Sequence, residues 1–192
     1  MRIAVFLVVA GALLVLLLPT GMVVPPACAG EPAVDVPKST LRFDDGDTVA
    51  ILWKKGVEEV RILGIDTPEV MHLEHELPYA QPFGYEAAGF LRGCIAVSDR
   101  VQLVRSGEKD PFGRTLGYLL LDGKNYSVLA VKARLAVENV SHYGDNGMPT
   151  HAARVRAAAK AAGPVPFEPP HVYRKRMKAV SKWMREKGTY PK

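Results

Sequence analysis

Cysteine is nearly missing from this chain. Cys28 and Cys94 are the two in 192 residues. Ala27-Cys28-Ala29 reads as a small-residue cleavage site, so a mature chain would keep Cys94 alone and could form no internal disulfide. A domain of this kind must be held by its apolar core. Cys94 lies in the apolar stretch Phe90 to Ile95 and reads as a small buried hydrophobe rather than a nucleophile. Aromatic residues are also scarce, at 8%. A module that grips single strands by stacking needs aromatic platforms on its strands, and Phe43, Trp53 and Tyr118 are few candidates for that work. No internal repeat is present, which excludes solenoids and propellers.

Positive charge is lacking where a nucleic-acid binder would need it. The chain has 25 Lys and Arg against 20 Asp and Glu. Arg2 is the one charge before residue 30, and eight basic and two acidic residues follow Val165. Residues 30–164 therefore keep 16 basic against 18 acidic. The core is slightly acidic, and the surplus belongs to the tail. A basic tail attracts polyanions, either nucleic acid or an anionic membrane surface, and also fits a solvated helix face.

The first residues have the order of an export signal: Arg2, an apolar run from Ile3 to Leu18, then the site ending at Ala29. Residues 1–29 are expected to be a signal peptide or a membrane anchor, since Gly21 to Val24 could lengthen the apolar run. Localisation follows as secreted or cell envelope, with membrane anchoring as the alternative. Residues 30–39 are expected to be a linker.

From Thr40 the pattern turns to strands. Thr40–Phe43, Thr48–Trp53, Val57–Leu63, Arg100–Val104 and Thr115–Leu121 have β-rich composition and turn signals between them. Val70 to Pro82 reads as a long loop. Gly84–Ile95 and Ser127–Arg134 read as helices, as does the Ala-rich Thr150–Ala162 with Thr150 as N-cap. Residues 164–192 form an amphipathic tail. Tyr173, Met177, Val180 and Met184 share its apolar stripe, and Arg174, Lys175, Lys178, Lys182 and Arg185 are expected to face outward. Strands first and helices grouped later indicate α+β with a small antiparallel sheet or barrel.

Three clusters carry the chemistry: Asp45-Gly46-Asp47-Thr48, Arg61 to Glu69, and Asp110-Pro111-Phe112-Gly113-Arg114. Singly each has a plain structural reading. Asp-Gly is a common hairpin turn. Thr67-Pro68 suits a helix start. Together they form a set. Asp47 and Asp66 are hard oxygen donors of the kind Ca²⁺ accepts. Pro68 stiffens the turn and can hold the Thr67 carbonyl toward a cation. Glu69 is left to orient or deprotonate a water. Arg61 and Arg114 can clamp phosphate with a charge that neutral pH does not remove. His72 and His75, beside Glu74 and Glu76, raise a transition-metal site as a further candidate, with solvation as the plain reading.

In order and spacing, Asp-Gly-Asp-Thr-Val, then Val-Arg-Ile-Leu-Gly-Ile-Asp-Thr-Pro-Glu, then Asp-x-x-Gly-Arg resemble the staphylococcal nuclease (thermonuclease) family, from Thr40 to Ala136. The resemblance implies a five-stranded OB barrel with packed helices, over residues 40–163. It implies Ca²⁺-dependent hydrolysis of DNA and RNA leaving 3′-phosphate ends. It assigns Asp47, Asp66 and Thr67 to the metal, Glu69 as general base, and Arg61 and Arg114 to the phosphate. The protein itself is expected to be a monomer. The family tyrosine before Gly-Arg is Phe112 here, its neighbouring lysine is Pro111, and the tyrosine expected near Val140 has only Tyr143 close by. The competing function is a non-catalytic nucleic-acid-binding OB module of the cell envelope.

Overall fold

The computed structural model describes residues 32–191, so the expected export segment lies outside the described residues. The strands are β1 (Val34–Asp35), β2 (Leu41–Phe43), β3 (Thr48–Trp53), β4 (Gly56–Ile62), β5 (Ile65–Asp66), β6 (Val101–Lys109), β7 (Thr115–Leu121), β8 (Lys124–Asn125) and β9 (Val137–Glu138). The helices are α1 (Gly84–Val97), α2 (Tyr126–Lys132), α3 (Val140–Tyr143), α4 (Pro149–Ala162) and α5 (Pro170–Glu186).

The main sheet runs β1-β6-β7-β4-β3-β2, with β8 added on β7. Its two ends are consecutive pieces of the chain. β1 pairs with β6, a short 3₁₀ turn at Lys38–Thr40 intervenes, and β2 pairs with β3. A sheet whose end strands are joined by so few residues must curl, because strands are a fixed distance apart. The result is an α+β, OB-like fold. Two expectations change. The sheet is mixed rather than antiparallel, since β4 pairs with β7 in parallel through Val60↔Thr115 and Ile62↔Gly117. The stretch 30–39 is more than a linker, because β1 and the buried Val36 fall within it.

Period-two burial explains β4. Val60 and Ile62 are fully buried in the core, and Arg61 between them points to the other face. Inside the curl, Val49, Ile51, Leu103, Leu119 and Leu91 of α1 pack with Tyr126 of α2 and Val155 of α4. Tyr126 also donates its hydroxyl to the Gly46 carbonyl at 2.8 Å, tying α2 to the turn before β3. Gly46 is required there. A Cβ would lie 2.9 Å from both Ala87 Cβ and Thr67 Cγ2.

Helix starts differ from the sequence expectation. α4 is capped by Met148 with Pro149 at its first position, so Thr150 is inside the helix and not its cap. Thr67-Pro68 starts no helix; the chain there is irregular, and α1 begins at Gly84. α5 does not join the main core. Tyr173 and Met177 pack on Leu77, with Val180 beside them, as a second small cluster. Burial of such side chains stabilises by about 1.5–3 kcal/mol each. Polar bonds to the 72–81 loop add to this: Tyr173 Oη to the Tyr79 carbonyl at 2.9 Å, Ser181 Oγ to the Glu76 carbonyl at 2.8 Å, and Tyr190 Oη to the Leu73 carbonyl at 2.6 Å. Among the described residues, no helix is long and apolar enough to cross a membrane.

Candidate active site

Pairing in the sheet assembles the three sequence clusters. β3 and β4 put Thr48 opposite Arg61, which sets Asp47 beside the guanidinium. Past β4 the chain turns and β5 pairs with β9, Asp66 opposite Val137, so Asp66 returns to the same place. Arg61 forms ion pairs with Asp47 and, at 2.8 Å, with Asp66. Its Nη2 also donates to the Ile65 carbonyl at 3.3 Å. Asp47 is buried, at 1% exposure, and its Oδ2 accepts the Thr67 backbone N–H at 2.7 Å. Asp45 shapes the turn by accepting the Asp47 N–H at 2.8 Å. Burial raises the Asp45 carboxyl pKa, against the pull of Arg61.

The third cluster arrives on the β6–β7 turn. Asp110 accepts the backbone N–H groups of Phe112 and Arg114, each at 2.9 Å, and the Arg114 side chain at 2.7 Å. Although burial opposes it, these bonds hold the Asp110 pKa below its ordinary value. Arg114 Nη1 then reaches Thr48 Oγ1 at 3.4 Å, which places this guanidinium next to Asp47. Phe112 is 84% exposed, and the Arg114 guanidinium carbon lies 5.5 Å from its ring centre. Tyr143 is exposed too, with its ring edge-on to His142.

Glu69 sits on a segment pinned from beneath. Its carbonyl accepts the Gln81 N–H at 2.8 Å, and its N–H donates to Gln81 Oε1 at 3.2 Å. Gly84 lies so close that a Cβ would be 2.1 Å from the Glu69 carbonyl oxygen. Burial raises the Glu69 pKa, and Arg174 opposes that shift. A carboxylate moved upward from its ordinary value is better matched to proton abstraction near neutral pH.

The structure thus brings together Asp47, Asp66, Thr67, Arg61, Glu69 and Arg114. It also adds residues that the sequence reading missed. Arg174, expected to face outward, turns inward: its Nη1 and Nη2 donate to Asp66 Oδ1 and Oδ2 at 3.1 and 3.0 Å, and Nη1 also meets Glu69. Its position one residue from the apolar Tyr173 was the available signal, since a flank position can lean either way. Gln81 and Gly84 are the other two. The long separation between them and Glu69 hid their role.

The donor set suits a hard cation. Asp47, Asp66 and the Thr67 carbonyl are all oxygen, and Thr67 Oγ1 is buried with no hydrogen-bond partner among the described residues. No group of three His, Cys, Asp or Glu that could hold a metal occurs among those residues, so a cation here would complete its shell with carbonyls and water, as Ca²⁺ does. The same geometry argues against the His72/His75 site. The rings stack at 5.0 Å and His72 pairs with Asp44 at 2.8 Å.

An OB-like curled sheet bearing two carboxylates bridged by one arginine, a second arginine beside them and a pinned glutamate defines a class of phosphate-handling proteins. Residues 59–163 match the family described as Staphylococcal nuclease homologue. The chain belongs to that family. It is 38% identical over 97 residues to the thermonuclease of Staphylococcus intermedius, covering 50% of this chain and 55% of that protein. It is 32% identical over 97 residues to the thermonuclease of Staphylococcus hyicus, with the same coverage of 50% and 55%. Endonuclease YncB of Bacillus subtilis (strain 168) is 31% identical over 97 residues, covering 50% of this chain and 44% of that protein. The chain spans about half the length of the curated relatives it matches.

Proposed function

We propose that this protein is a Ca²⁺-dependent nuclease that hydrolyses phosphodiester bonds of DNA and RNA and leaves 3′-phosphate ends. One observation carries the reading. Arg61 bridges Asp47 and Asp66 while Arg114 and Glu69 converge on the same spot from separate segments. Asp47, Asp66 and the Thr67 carbonyl would hold the cation, which supplies charge neutralisation at the phosphate when bound. Arg61 and Arg114 clamp the non-bridging oxygens and oppose the charge that builds there. Glu69 takes the proton of the attacking water, and the partial burial of its carboxyl favours the protonated product.

The relatives' names support nuclease chemistry, and the all-oxygen donor set supports a hard cation. We place the protein outside the cytoplasm, secreted or in the envelope, on the apolar N-terminal run. The test is incubation of the full chain with plasmid, linear DNA and RNA, with Ca²⁺ or with a chelator. Cleavage only with Ca²⁺, and product ends that a 3′-phosphatase can trim, are expected. Binding of nucleic acid without turnover under any cation would establish the non-catalytic module instead.

A further inference from the structure

α5 lies beyond residues 59–163, the stretch that matches the family, yet it delivers a side chain to the carboxylates. The Arg174 guanidinium forks onto both oxygens of Asp66 and touches Glu69. An ionised carboxylate offers about four acceptor positions. On Asp66, Oδ1 takes Arg61 Nη2 at 2.8 Å and Arg174 Nη1 at 3.1 Å, and Oδ2 takes Arg174 Nη2 at 3.0 Å. One position remains. Asp47 is similarly occupied by Arg61, Thr48 and the Thr67 N–H.

We propose that Arg174 is an intramolecular counter-cation of this site, occupying on Asp66 and Glu69 the place of a divalent cation and its attendant water. Arg174 docking and divalent-cation binding then oppose one another, and the extension beyond the family domain sets the cation concentration at which the site works. The inference rests on the cation reading of Asp47 and Asp66 given above.

Two further observations support it. Both terminal nitrogens of the Arg174 guanidinium are committed to these carboxylates, Nη1 to Asp66 and Glu69 and Nη2 to Asp66, so a cation that takes those oxygens must displace the side chain. The helix also has its own attachment through Tyr173, Met177, Ser181 and Tyr190. The side chain can release while α5 stays docked, because the arginine stem is flexible and the side chain, 35% exposed, has solvent to move into.

The test is calorimetric titration of Ca²⁺ into full-chain wild type, Arg174→Ala, Arg174→Met and Asp47→Asn, with thermal melts of each. Removing a positive charge beside a dication is expected to tighten Ca²⁺ binding at least about tenfold in both Arg174 variants. Arg174→Met keeps the stem packing, so it reports even if the alanine variant folds poorly. A structural role alone would lower the melting temperature and leave the affinity unchanged. Unchanged or weaker affinity in Arg174→Met, with binding lost in Asp47→Asn, would overturn the inference and leave the cation reading standing. If Asp47→Asn titrates like wild type, the cation reading itself fails and takes the inference with it.

Discussion

The Thr67 backbone N–H donates to Asp47 Oδ2 at 2.7 Å, across 20 residues of chain. The bond fixes the second cluster onto the first and leaves the Thr67 carbonyl available. It also explains why Asp47 tolerates near-complete burial, since a buried carboxylate must be paired and hydrogen-bonded. Asp47→Ala should leave Arg61 and the Thr67 N–H without their partner. Loss of cation binding and a stability cost of about 3–5 kcal/mol are expected, the latter read from urea unfolding.

Arg61 and Arg114 differ in what else they do. Arg61 is wired to two carboxylates and the Ile65 carbonyl, whereas Arg114 is held by the local Asp110 turn. Both alanine variants should lose about 10²–10³ in turnover, the scale for removing one donor to a developing charge. Arg61→Ala should also unfold more easily, and Arg114→Ala should not. Equal melting curves for the two would contradict this division.

Gly84 can be tested without touching a charged group. A methyl there meets the Glu69 carbonyl oxygen at 2.1 Å, so Gly84→Ala must push that segment away. Turnover should fall by about 10²-fold, as for a small misplacement of a reacting group, while Ca²⁺ affinity stays near wild type. A variant with full turnover would remove Glu69 from the chemistry.

Away from the site, Glu58 is a pH-dependent stabiliser. Its hydrogen bonds from Arg105, and then from Trp53 and Thr115, overcome burial and lower its pKa to about 2. The folded value lies below the unfolded one, so the stabilisation is complete above the ordinary carboxylate range and lost as pH falls toward 2. Its size is at most about 3 kcal/mol, and less because the side chains keep some contact with water. The stability gap between wild type and Glu58→Gln, measured by urea unfolding, should therefore narrow from pH 6 to pH 3. A gap independent of pH would show that shape rather than charge matters there.

Phe112 sets an exposed ring beside Arg114, without the hydroxyl of the tyrosine that the family resemblance leads one to expect there. Phe112→Tyr should tighten inhibition by a nucleoside bisphosphate by about 1.5–3 kcal/mol at most, the net value of a hydrogen bond to a charged group. An unchanged inhibition constant would place the phosphate elsewhere.

By itself the sequence determined most of the longer strands and helices and the chemical inventory, but not β1, β5, β8, β9 or α3. The β7 boundaries match the expected strand, α1 and α2 lie within two residues of theirs, and all six proposed site residues converge. These were legible because strand alternation, helix period and short motifs are properties of neighbouring residues. Tertiary structure alone decided the rest. The parallel β4–β7 pairing, the split first strand that joins the ends of the sheet and the separate seat of α5 depend on contacts between distant segments. Arg174 is the sharpest case. Helical period puts it beside the apolar stripe, but only the packing of α5 on the 72–81 loop turns that flank toward Asp66, 108 residues away, instead of toward solvent.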